Sequence, residues 1–148
     1  MHYVTKKMTF CASHRLHNPK LSDSVNREIF EVCNNPNGHG HTYTLEITVR
    51  GRVNPETGMV INVRELKRII NREIFEQVDH KNLNVDVPWL EDRLPTTENL
   101  CVAFWQRLEK NIPYGELFSI KLSESPNSIF EYLGHIGDRH HCERNRSQ

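Results

Sequence analysis

The chain has 148 residues with 19 basic and 19 acidic side chains and a net charge of zero, which fits one domain and argues against the basic footprint of a nucleic-acid binder. No run approaches the ~20 apolar residues of a membrane-spanning helix, and residues 1–10 lack the apolar stretch of a signal peptide. The four cysteines, Cys11, Cys33, Cys101 and Cys142, form no Cys-x-x-Cys pair and read as free thiols of a cytoplasmic protein, while nine histidines prompt a search for metal ligands.

Residues 1–13 alternate and end in Phe10-Cys11-Ala12, which predicts a strand. Residues 18–38 are polar, contain Pro19, Pro36 and Gly38, and predict a long loop with a short helix over 24–31. Residues 43–50 alternate apolar and polar side chains with period two, the pattern of a half-buried strand. Asn54-Pro55-Glu56-Thr57-Gly58 is turn chemistry, and Met59-Val60-Ile61 predicts a short strand after it. A helix follows, capped by Asn62 with Glu65 three residues on, its apolar stripe formed by Val63, Leu66, Ile69, Ile70, Ile74 and Phe75. Residues 79–95 are irregular. A second helix starts near Thr96 or Thr97, buries Leu100, Ala103, Phe104, Leu108 and Ile112, and ends at Pro113-Tyr114-Gly115. Residues 117–122 and 128–133 predict the last two strands. One domain over 1–134 and a polar tail over 135–148 result. The order strand, strand, helix, helix, strand, strand predicts an α+β fold, an antiparallel sheet with both helices on one face. The other face then lacks a helical cover, which predicts an oligomer.

Gly38-His39-Gly40-His41 enters the second strand, where residues two apart share a face, so His39 and His41 can converge on one metal. His14, at the end of the first strand, is the best third ligand, and three histidines with an open position are the pattern of a catalytic zinc. Histidines in an ordinary turn are the alternative. Cys33 reads as an inert loop cysteine or, beside a dication, as a base or nucleophile. Cys11 and Cys101 sit in apolar surroundings and read as core. His140, His141 and Cys142 read as part of the tail. Asp79-His80 is either an oriented proton carrier or a solvated helix end. Glu124, at a strand end, can accept two hydrogen bonds from a guanidine-like edge or lie exposed in a turn. Thr96-Thr97-Glu98 also reads as a helix cap.

Taken in order, Phe10-Cys11-Ala12-Ser13-His14-Arg15-Leu16, the segment from Cys33 to His41, Asp79-His80-Lys81-Asn82-Leu83 and Thr96-Thr97-Glu98-Asn99 resemble the 6-pyruvoyl-tetrahydropterin synthase family. The likeness spans about residues 5–134. It implies the tunnelling fold, a four-stranded antiparallel sheet with two helices, closed by trimers into a barrel and stacked into hexamers with active sites between subunits. It implies one zinc ion per subunit on His14, His39 and His41, and Cys33 as catalytic base. Asp79 and His80 would be its proton-transfer partners from a neighbouring subunit. Glu124 would anchor the pterin, and Thr97 and Glu98 would help to hold it. The implied reaction converts 7,8-dihydroneopterin triphosphate to 6-pyruvoyl-tetrahydropterin and triphosphate, a carbon–oxygen lyase step of tetrahydrobiopterin synthesis. Two positions depart from the pattern: Cys11 stands where Ser is frequent, its side chain expected opposite that of His14, and Ser125 stands where Thr is common.

The nearest rival is the sister enzyme of queuosine (7-deazaguanine) synthesis, 6-carboxy-tetrahydropterin synthase, which releases acetaldehyde. Its cysteine typically stands closer to the His-Gly-His pair than Cys33 does. A non-catalytic pterin- or zinc-binding module would not need Cys33, Asp79 and His80 together. A structural zinc site usually closes with four protein ligands, and the sequence offers three.

Overall fold

A computed structural model describes residues 1–135; His140, His141 and Cys142 lie outside the described residues. The two longest strands are β1 (His2–His14) and β2 (His39–Gly51), which pair antiparallel from His2 opposite Gly51 to His14 opposite His39. Helix α1 (Asp23–Phe30) lies between them, followed by a 3-10 turn over Glu31–Asn34. Helix α2 (Val63–Ile70) continues as a π-helical turn, Asn71–Phe75, and a short α3 (Glu76–Val78). Strand β3 (Lys81–Asn82), helix α4 (Thr97–Leu108), and strands β4 (Glu116–Ser125) and β5 (Ser128–Tyr132) complete the described elements.

The sheet order is β3-β1-β2-β4-β5. The four long strands are antiparallel, as expected. The fifth, β3, pairs parallel with β1 at Ala12 and Ser13 inside the segment expected to be irregular. Two backbone bonds hold it there, His80 N–H to the Cys11 carbonyl at 2.6 Å and Leu83 N–H to the Ser13 carbonyl at 2.8 Å. Its two residues carry no period-two signal. The ββααββ order therefore also carries α1 between the first two strands, where a short helix over 24–31 was expected, and β3 between the helices, which was not expected.

Period two and period 3.6 meet in one core. Phe10 from β1, Tyr43, Leu45, Ile47 and Val49 from β2, and Ile120 and Leu122 from β4 are buried. Leu66, Ile69, Ile70 and Ile74 from the first helical segment and Leu100, Ala103, Phe104 and Leu108 from α4 belong to the same cluster. Asn62 caps α2, its side-chain oxygen accepting from Arg64 N–H at 2.9 Å. Val63 stays exposed, so the buried stripe starts at Leu66. Met59-Val60-Ile61 forms no strand. The turn closes on itself through Asn54 N–H to the Met59 carbonyl (2.9 Å) and Gly58 N–H to the Asn54 carbonyl (2.8 Å), and Val60 and Ile61 enter the core as irregular backbone. Cys101 is buried as expected, its thiol pushed up to about 12 by that burial and then by Glu98. Cys11 is exposed: it occupies the odd-numbered face of β1, away from the helices, opposite in sense to buried His14.

The loop between β1 and β2 is ordered by asparagines. Asn26 is fully buried, accepts from Asn18 N–H at 2.7 Å, and donates to the carbonyls of Asn18, Leu21 and Ser22. Asn34 donates to the Leu16 carbonyl at 2.8 Å, and Leu16 N–H donates to the Cys33 carbonyl at 2.8 Å. These bonds satisfy buried polar groups that would otherwise cost about 1–3 kcal/mol each. They also pin the Cys33 turn beside the end of β1.

Candidate metal centre and active site

The register of β1 and β2 builds the first part of the site. His14 lies opposite His39, Ala12 opposite His41 and Phe10 opposite Tyr43. Alternation puts His14, His39, His41 and Tyr43 on the helix-covered face, at the end where the sheet emerges from the core. Gly38 permits the entry into β2. Its φ is +71°, and a Cβ there would stand 2.7 Å from the His14 carbonyl oxygen, a contact that only glycine avoids.

The three histidine rings surround one point. Their ligand nitrogens all lie within 4.8 Å of one another, and no fourth His, Cys, Asp or Glu joins this group among the described residues. His39 Nε2 and His41 Nε2 are 2.8 Å apart. The ring of His14 is 5.0 Å from that of His39 and 5.2 Å from that of His41, each nearly perpendicular. His14 is 1% exposed. Its Nδ1 lies 2.8 Å from the Pro95 carbonyl oxygen, an acceptor only, so Nδ1 carries the proton and donates it. Its Nε2 is thereby left with a lone pair, buried and without a hydrogen-bond partner. A histidine oriented by a carbonyl on one nitrogen and bare on the other is the outer-shell arrangement of metal-binding imidazoles. Burial lowers the pKa of His14 despite the Pro95 bond, with His39 and His41 pushing the same way. Burial likewise lowers that of His41, against the pull of Glu124. Both shifts favour the neutral, ligating form. The donor set fits a divalent metal such as zinc, with three imidazoles and an open position.

Cys33 is half-buried in the 3-10 turn. Burial, then Glu124 and then Glu31, push its thiol pKa up in the metal-free chain; a dication nearby acts in the opposite direction. Glu124 is half-buried near the end of β4 and accepts from the hydroxyl of buried Thr97 at 3.0 Å. Thr97 opens α4, whose cap Thr96 accepts from Asn99 N–H at 3.3 Å. Glu98, one residue on, is exposed in the same first turn.

Asp79 and His80 sit elsewhere. His80 Nδ1 is 2.9 Å from Asp79 Oδ2, and the His80 side chain is 79% exposed. Asp79 Oδ1 accepts from the Cys11 N–H at 3.0 Å. Burial opposes it, but the Cys11 N–H and the His80 ring hold the Asp79 carboxyl below its usual range. The backbone at His80 is left-handed, with φ +59°. His80 borders a depression of about 460 Å³ shared with Cys11, Gly40 and Thr42. Among the described residues no hydrogen bond joins Asp79 or His80 to Cys33. The oriented His–Asp pair is present, but within one chain it is not assembled with the cysteine.

Two parts of the site were not anticipated from the sequence. The Pro95 carbonyl carried no signal, because a backbone acceptor from an irregular segment is invisible to pattern. Tyr43 did carry one: it stands two residues beyond His41 and must share its face. Its ring lies 5.6 Å from that of His41 and 6.3 Å from that of His14.

The family model described as 6-pyruvoyl tetrahydropterin synthase matches residues 3–135. The human protein named 6-pyruvoyl tetrahydrobiopterin synthase is 46% identical over 131 residues, 88% of this chain and 90% of that protein. The Drosophila melanogaster protein of the same name is 47% identical over 133 residues, 89% of this chain and 79% of that protein. The solved structure of Caenorhabditis elegans 6-pyruvoyl tetrahydropterin synthase superposes with a TM-score of 0.83 at 38% identity, covering 91% of this chain and 98% of that one. With this fold, this histidine cluster and these relatives over nearly its whole length, the chain belongs to the 6-pyruvoyl tetrahydropterin synthase family.

Proposed function

We propose that this chain is a zinc-dependent lyase that converts 7,8-dihydroneopterin triphosphate to 6-pyruvoyl-tetrahydropterin and triphosphate. The observation that carries the reading is the bare, buried Nε2 of His14, set by the Pro95 carbonyl toward His39 and His41, in a chain whose relatives bear the name of that synthase. Those names do not favour the carboxy-forming sister reaction.

His14, His39 and His41 would hold the ion, which when bound supplies Lewis-acid polarisation of the substrate's side-chain hydroxyls. Cys33, as thiolate, takes a proton from the side-chain carbon. The ring C=N is reduced as the side-chain carbinol is oxidised, and triphosphate leaves by elimination, so no external oxidant or reductant is consumed. Glu124, steadied by the Thr97 hydroxyl, accepts the guanidine-like edge of the pterin and fixes the reacting carbon. Glu98 helps to hold the ring from the same helix start. His80, oriented by Asp79, carries protons between tautomers.

The last assignment calls for a second subunit, because exposed His80 borders the sheet face that the helices leave open, beside Cys11 and Thr42. Exposed Tyr3 and Ile129, 54% and 64% accessible, belong to that face and support its burial in a trimeric barrel, stacked in pairs as a hexamer. The working unit would be residues 1–134, acting in the cytoplasm; no helix among the described residues is long and apolar enough to cross a membrane.

The test is product identification by mass spectrometry after incubating the zinc-loaded protein with 7,8-dihydroneopterin triphosphate. Pyruvoyl-tetrahydropterin with free triphosphate is expected. Carboxy-tetrahydropterin with acetaldehyde would move the chain to the sister reaction.

A further inference from the structure

We infer that Tyr43 is a positioning residue of the pterin site, its hydroxyl serving as a hydrogen-bond donor to the Glu124 carboxylate when the site is filled. This rests on the reading of Glu124 as the pterin anchor. Tyr43 is fully buried, and its hydroxyl has no hydrogen-bond partner, an arrangement that folding disfavours and that native sites keep for a reason. The ring is fixed on three sides: it stacks on Phe10 at 4.9 Å and meets His41 and His14 edge-on.

Register supplies the acceptor. The β2–β4 ladder ends with Thr44 opposite Ser123, so Tyr43 and Glu124 are the residues that leave it side by side on the two strands. Both side chains rise on the helix-covered side, Tyr43 in the core and Glu124 against Thr97 of α4. Burial pushes the Tyr43 phenol up, and Glu124 and then Cys33 push it the same way. The carboxylate already takes one hydroxyl, that of Thr97, on Oε2. An ionised carboxylate has about four lone-pair positions, so a second hydroxyl and a ligand edge fit together. Tyr43 would thus hold Glu124 on the sheet side as Thr97 holds it on the helix side.

The test is a fluorescence titration of neopterin into the zinc-loaded wild type, Tyr43→Phe, Glu124→Gln and the double variant, with melting temperature and zinc content measured on each. Phenylalanine keeps the ring and removes only the unpartnered hydroxyl. Tyr43→Phe is expected to keep its zinc, to melt at the same temperature or higher, and to bind neopterin roughly tenfold more weakly, the loss typical of one hydrogen bond to a charged acceptor. In the double variant the penalty should not exceed that of Glu124→Gln alone. Wild-type binding by Tyr43→Phe, penalties that add in full, or weaker binding with a lowered melting temperature would each overturn the assignment. A wild-type chain that binds no neopterin would instead remove the pterin reading, and this inference with it.

Discussion

The histidine cluster and the Asp79–His80 pair are both built on the same end of β1, yet they are finished to different degrees. His14 faces the helices, is 1% exposed, and has its ring fixed by Pro95 and its neighbours. His80 is tied to β1 through the Cys11 backbone, but its side chain is 79% exposed, its Nδ1 2.9 Å from Asp79 Oδ2. One region is complete within a chain; the other is oriented and waits for something to act on. The two lie on opposite sides of β1, since His14 is buried under the helices while His80 borders the open-face depression with Cys11 and Thr42. On the proposed reading, a single protomer would carry a metal site with its base and anchor on one face, and a proton carrier for another site on the other.

This division can be broken from either side. His39→Ala should empty the metal site, with a loss larger than the ~10–100-fold that removal of an outer-shell partner costs. Elemental analysis checks it, and stoichiometric zinc in that variant would refute the ligand assignment. Cys33→Ala should keep its zinc while turnover falls by ~10²–10⁴, the usual worth of a positioned acid–base group; full activity would remove Cys33 from the chemistry. Thr97→Val breaks the 3.0 Å bond to Glu124, and KM should rise roughly tenfold with kcat less affected, as for one charged hydrogen bond.

A smaller effect separates the two regions by pH. His14 and His41 have lowered pKa values in the metal-free fold, so the unfolded chain takes up their protons at higher pH. Their contribution is fully present above the unfolded value of about 6.5 and is lost as pH falls through the lowered folded values. Metal-free protein should therefore melt several degrees lower at pH 5 than at pH 7.5, and bound zinc should protect it. Differential scanning calorimetry of both forms tests this, and a melting temperature insensitive to pH would contradict it.

Much of the site was legible because it is written in alternation. His-x-His at the head of a regular strand and a histidine at the end of its partner needed only period two to be placed together, whereas Glu124 joined them only through the family resemblance. The helix stripes were likewise legible from their period, apart from exposed Val63 and from Ile112, which lies beyond the end of α4 at Leu108. What escaped pattern was what depends on backbone out of register: β3, the Pro95 carbonyl, and Val60 and Ile61 entering the core without a strand. Cys11 escaped for a different reason. Its apolar neighbours Phe10 and Ala12 face the other way, so local composition misled where alternation would not have. Asp79 and His80 were legible as a pair, but their separation from Cys33 was implied only by the family resemblance, because no pattern in one chain records where a second chain will lie.

The most direct test of this division is to mix two inactive proteins. Cys33→Ala and His80→Ala are unfolded together, refolded as mixed oligomers, and assayed on 7,8-dihydroneopterin triphosphate. If the cysteine of one subunit works with the histidine of another, mixed oligomers contain sites with both groups intact, and activity should return well above that of either variant refolded alone. Activity no higher than the average of the two parents would show that Cys33 and His80 act within one chain, or not together at all, and would contradict the account.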